Sequence, residues 1–161
     1  MDLTADRVLT RPKDLVTALR RLMCFVLSSP YPGQCRRMIN PILLPLWALS
    51  SWQGPSQSAS ESICIPARTL LETFLRIDSS HETVIRLVHH LTCNGTDNGN
   101  QLGWRFQELP DGEIQAVQSR QQVPSEDLDM GVMLRKSVAL VELVTCCCSK
   151  EDISSLSLIH I

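Results

Sequence analysis

Between Lys13 and Ser28 the apolar residues Leu15, Leu19, Leu22 and Val26 recur on one face of a 3.6-residue period, while Lys13, Arg20 and Arg21 fall off that stripe. The spacing predicts a helix over 13–28. Pro12 suits its start, because the N–H that proline lacks has no partner there. The run SSPYPG, 28–33, breaks it. A second helical region is expected over 34–52, interrupted near Pro41 and Pro45, since each proline removes an internal hydrogen bond and crowds the carbonyl four residues back. From Pro41 to Trp52 the chain is apolar on nearly every side, as expected of a helix enclosed by neighbours. The Ser-rich stretch that follows reads as a flexible loop over 53–65. A third helix, 66–77, carries Leu70, Phe74 and Ile77 on one face. Ser79 with Glu82 fits a capping box, and opens a fourth helix with Val84, Leu87, Val88 and Leu91 in register. Asn94-Gly95 is expected to close that helix, with glycine taking the left-handed position cheaply.

The pattern then changes period. In WRFQELPDGEIQAV, 104–117, Trp104 and Phe106 alternate with Arg105 and Gln107, Pro110-Asp111-Gly112 forms a turn, and Ile114 and Val117 return apolar groups. This predicts a β-hairpin, which is marginal alone in water and must lean on a helical surface. After a polar break over 121–129 the helical period resumes over 128–148, with Met130, Leu134, Val138, Val141 and Val144 along its apolar side. A further capped start at Ser149 and Asp152 leads to SLSLIHI, which has no stop signal. The expected architecture is all-α in the main: a single helical domain over 13–161 with one β-hairpin insertion at 104–117, preceded by a flexible N-terminus, 1–12. Paired helices, an apolar second helix and the unstopped end fit a fragment of an armadillo or HEAT-like α-solenoid; the competing architecture is a closed helical bundle.

Composition narrows the function classes. A net charge of −2 gives no basic footprint for nucleic acid. No segment reaches the roughly 20 apolar residues that span a bilayer, and the N-terminus lacks the apolar core of a signal peptide, so the expectation is no stable membrane insertion and a cytoplasmic or nuclear location. Seven cysteines, an odd number at irregular spacing, read as reduced packing residues rather than a disulfide framework. No nucleophile elbow, phosphate loop, dinucleotide fingerprint or His-Glu-x-x-His motif occurs. His89 and Cys93, four apart on the expected fourth helix, are the one pair able to share a metal, but no second pair completes a ligand set. Glu126, Asp127 and Asp129 cluster where a helix begins and complement its dipole.

In order along the chain come paired helices, PILLPLW, a Gly-Trp-Arg-Phe hairpin with a PDGEI turn, and RKSVALVELVTCCCSKEDISSL. That order resembles a segment of the large helical-repeat proteins that include the fungal factors required for nuclear transport of RNA polymerase II and their animal transport-and-Golgi-organisation relatives. The resemblance spans most of 13–156. It implies a non-enzymatic scaffold that binds other proteins in transport or assembly of a large complex, with no cofactor and no metal, and a hairpin inserted on one edge of a superhelix. Trp104, Phe106 and Ile114 on the hairpin, with Leu156, Leu158 and Ile161 in the unstopped apolar end, are the expected contact residues. Two alternatives stand beside it: a small closed bundle with a metal or catalytic site around His89 and Cys93, and a truncated gene product without independent function.

Overall fold

The structure, a computed structural model, describes residues 6–78, 80–95, 103–118 and 129–147. The chain is mainly helical, with one small antiparallel sheet. Helix α1, Pro12–Ser28, begins on its proline and buries Leu19 and Val26, with Leu15 and Leu22 packed beside them, so the expected stripe faces inward. Helix α2, Pro32–Ile39, buries Cys35 and Ile39. A tight 3-10 turn, Asn40–Ile42, then separates it from α3, Leu43–Ser50. The break falls at Pro41, where the missing N–H cannot continue the α2 ladder. Pro45 sits within the first turn of α3, where an N–H would have had no helical partner. Leu43, Leu46, Trp47, Ala48 and Leu49 are all buried, and the Trp47 indole N–H donates to the Leu91 carbonyl at 2.9 Å.

The expected flexible loop over 53–65 is shorter than its serines imply. Helical structure starts at α4, Gln57–Ala59, continues through a wide π turn, Ser60–Cys64, and runs into α5, Ile65–Ile77. The Ser56 hydroxyl accepts from the Ala59 N–H at 3.1 Å and caps the start. Ala59, Ile63 and Ala67 then recur every four residues as a buried stripe, while Ser58 and Glu61 face out. Pro66 explains the π turn: widening the backbone just before it, with the Ile65 N–H donating to Ser60, removes the clash its ring would make in a regular helix. Helix α5 is the hub of the fold, packing against α1, α2 and α3 and against a later helix, α7, Met130–Cys147. Its Leu70, Leu71, Phe74 and Leu75 are buried.

Helix α6, His81–His89, follows. Ser79 lies outside the described residues. The hydroxyl of Thr83 donates to Asp78 Oδ2 at 2.6 Å, so Asp78 ties the start of α6, and Arg36 Nη2 reaches the same carboxylate at 3.3 Å. The helix ends at His89, five residues before the expected Asn94-Gly95 stop. Gly95 has no positive φ. It is glycine for another reason: it pairs with Arg105 as a β-bridge, and a Cβ there would collide with the Trp104 carbonyl.

The hairpin forms where the period changed. Strand β2, Trp104–Glu108, pairs with β3, Ile114–Gln118, in antiparallel register Phe106↔Ala116. Gly112 takes φ 79° and its N–H donates to the Leu109 carbonyl at 2.8 Å, closing the turn after Pro110 and Asp111. The N-terminal stretch expected to be flexible contains a third strand, β1, Arg7–Thr10, which pairs with β3 and gives the sheet order β1-β3-β2. An Asp6–Arg105 ion pair of 3.1 Å joins the two outer strands. A lone hairpin is marginal, and this added strand supplies the missing ladder. The sheet rests on α1 through β3. Ser56 and Trp52 anchor it further, the one donating to the Gly112 carbonyl at 2.9 Å, the other to Glu108 at 3.2 Å.

Candidate interaction face

The hairpin residues expected to be contact anchors are core residues here. Phe106 and Ile114 are buried, and Trp104, half-buried, stacks edge-on to Phe106 with ring centroids 5.2 Å apart. In an antiparallel sheet with one face on a helix, the inward set of each strand is consumed by that packing. Phe106 and Ile114 are therefore taken up by the core rather than offered to a partner, while Trp104 is only half-buried. Leu156, Leu158 and Ile161 lie outside the described residues.

Among the described residues, α7 carries more exposed large apolar side chains than any other element. Its Met130, Leu134, Val138 and Val141 are 74%, 67%, 51% and 65% exposed. These residues form the stripe that the helical period assigned to the core side. The structure turns it outward: Lys136, Leu140 and Leu143 form the buried side, against α5 and α6. The helix is apolar along two opposite faces, and contact with α5 covers only one. The signal was present in the sequence, because Leu140 and Leu143 lie off the Leu134–Val138–Val141 line at core spacing. Asp129 caps the helix start, its Oδ1 accepting from the Gly131 N–H at 2.8 Å, in keeping with the helix-start reading of this carboxylate. Glu126 and Asp127 lie outside the described residues.

Two titratable groups are perturbed by burial. Desolvation, helped by the charge of Glu108, pushes the Cys64 thiol up to about 11. Burial lowers the pKa of Lys136, with Cys93 acting in the opposite direction. His89 and Cys93 do not share a helix face. His89 is the last residue of α6, the chain turns through His90–Thr92, and the Cys93 thiol donates to the Gly95 carbonyl at 2.8 Å. Among the described residues no group of three His, Cys, Asp or Glu side chains is placed to hold a metal ion. Arg20, Arg21 and Arg37 are exposed; Arg36 is drawn to Asp78.

No helix among the described residues is long and apolar enough to cross a membrane. What the geometry defines is a mainly helical chain that carries a three-stranded antiparallel sheet and displays one apolar helix face. Comparison with protein-family models, with curated proteins and with solved structures finds no match.

Proposed function

We propose that this chain is a non-enzymatic protein-interaction scaffold, a segment of an armadillo or HEAT-like α-solenoid that works in the cytoplasm or nucleus in transport or assembly of a large complex. The observation that carries the reading is the outward apolar face of α7, Met130, Leu134, Val138 and Val141. Scattered exposed apolar residues are ordinary, but a stripe aligned along about three turns of one helix is a surface built to be covered. In a solenoid each helical unit buries one face on the preceding unit and offers the other to the next. Helix α7 has that two-faced character, with Leu140 and Leu143 turned to α5 and the opposite stripe exposed. The contact surface moves accordingly from the hairpin, whose apolar groups hold the sheet to α1, to the last described helix.

The test is a hydrophobic-dye titration of the full chain beside the double variant Leu134→Lys, Val138→Lys. The stripe accounts for most of the dye binding, so the variant loses at least half of the fluorescence. Its melting temperature stays within about 2 °C of the parent, because exposed substitutions cost little. Dye binding that is weak in the parent, or unchanged in the variant, removes the basis for an interaction face on α7.

A further inference from the structure

We propose that the α7 stripe is occupied by the same stripe of a second copy, in an antiparallel two-fold pair. The inference rests on the interaction reading above and names its partner. In heptad terms Leu134 and Val141 stand at d and Val138 at a, so the exposed residues of α7 form a short coiled-coil seam on the side away from α5. The charges that flank this seam select the pairing. Arg135 and Glu142, both exposed, are seven residues apart and therefore occupy the same flanking position, e, in successive heptads. In a parallel pair the e positions face g positions of the other helix, and Arg135 and Glu142 would meet Met130 and Ser137, with no ion pair formed. In an antiparallel pair e faces e. Arg135 then lies across from the partner's Glu142, and Glu142 across from the partner's Arg135. The same register stacks Val138 on the partner's Val141. The two helix dipoles also oppose each other in this orientation.

Closed two-fold symmetry follows from the self-complementarity of a single patch. The four stripe residues expose on the order of 400 Å² per chain, and with their flanks a pair buries roughly 1,000 Å² in total, the lower bound for a specific interface. A dimer of this size is weak and concentration-dependent, with a dissociation constant in the micromolar range. In the structure exposed Arg135 donates to Oε1 of half-buried Gln53 at 2.9 Å, a contact that Glu142 of the second copy would replace.

Sedimentation equilibrium of the full chain from about 1 to 200 µM tests this, with three variants and the dye assay run in parallel. A monomer–dimer equilibrium is expected. Val138→Glu abolishes it. Arg135→Glu alone weakens it about tenfold, because two attractions become two repulsions. The charge-swapped double variant Arg135→Glu, Glu142→Arg restores the parent constant. All three substitutions lie on exposed positions, and circular dichroism verifies that each variant melts like the parent. A dimer indifferent to Val138→Glu, or a charge swap that fails to restore binding, overturns the α7 pairing. A monomer at 200 µM that still binds dye through the stripe overturns the second copy as occupant and leaves the interaction reading standing with a different partner. A monomer whose stripe binds no dye overturns both, and assigns the cover to the chain itself.

Discussion

Helix α7 allows the assignment of its faces to be tested with one residue type. Leu134 and Leu140 are six residues apart on the same helix, yet Leu134 is 67% exposed and Leu140 is 6% exposed. Truncating each to alanine removes the same atoms and changes helix propensity equally, so the difference between the variants isolates burial. At Leu140 nearly all of the side chain leaves a packed site against α5 and α6. The lost transfer energy is about 2 kcal/mol for a nearly buried leucine, and a residual cavity raises the total to about 3 kcal/mol. At Leu134 only a third of that burial exists, with no cavity, and the cost is about 0.5 kcal/mol. Urea unfolding monitored by far-ultraviolet circular dichroism, at a concentration below 1 µM to hold the chain monomeric, gives both values from the shift in midpoint at constant slope. A gap of about 2.5 kcal/mol, with Leu140→Ala the less stable, is the expected result. Equal costs, or a larger cost at Leu134, would mean that the outward stripe is buried in solution. The interaction reading and the pairing of two α7 helices would then lose their common basis.

The buried titratable groups give two further predictions. The Cys64 thiol titrates at about 11 in the folded chain against an ordinary 9.0. Above pH 9 the unfolded chain therefore releases this proton while the folded chain keeps it, and stability falls from pH 9 to pH 11 by about 3 kcal/mol. Cys64→Ala lacks this slope, so its stability relative to the parent improves over that window, and parallel curves for the two proteins refute the assignment. Lys136 has the opposite sign. Its folded pKa lies below the ordinary 10.5, so its burial cost is present at neutral pH and is relieved as pH rises through the folded value towards 10.5. Lys136→Met removes a poorly solvated ammonium from the α5 contact and gains about 1 kcal/mol at pH 7, an advantage that shrinks at pH 10. A variant less stable than the parent at pH 7 would show that the ammonium is well compensated where it lies.

Elements whose period is unambiguous were legible in the residues. The α1 stripe, the break at Pro41 and the all-round apolar α3 follow from local chemistry that tertiary contacts leave in place. The hairpin was equally plain, because Pro110-Asp111-Gly112 has only one economical conformation between two apolar strands. Strand β1 was not, since Arg7–Thr10 is only four residues long with two apolar groups, and it exists because β3 offers it a free edge. The serines of 56–62 hid a helical turn for a related reason. Composition argued for a loop, but the fourfold spacing of Ala59, Ile63 and Ala67 is an amphipathic pattern with small members, and the Ser56 cap marks its start. Asn94-Gly95 has the local signature of a helix stop, but the real constraint on Gly95 is the backbone of β2 passing beside it, a contact between residues ten apart that no local signal encodes.

The α7 faces show where periodicity runs out. A helix with one apolar stripe has one way to sit on a core, so period alone fixes its orientation. A helix with two stripes has two ways, and the choice belongs to the surface it meets. Against α5 and α6 the Leu140–Leu143 side wins, although it carries Lys136 in line, and the uninterrupted Leu134–Val138–Val141 side is left outside. Burying a lysine while exposing a continuous apolar seam is unfavourable for an isolated chain. It is reasonable for one whose seam is covered by another molecule, because the energy of that second contact enters the balance that the monomer alone does not show. The Leu134 and Leu140 comparison measures the first half of this balance and the Arg135–Glu142 charge swap the second. Only together do they decide whether α7 is an oddly oriented core helix or an interface.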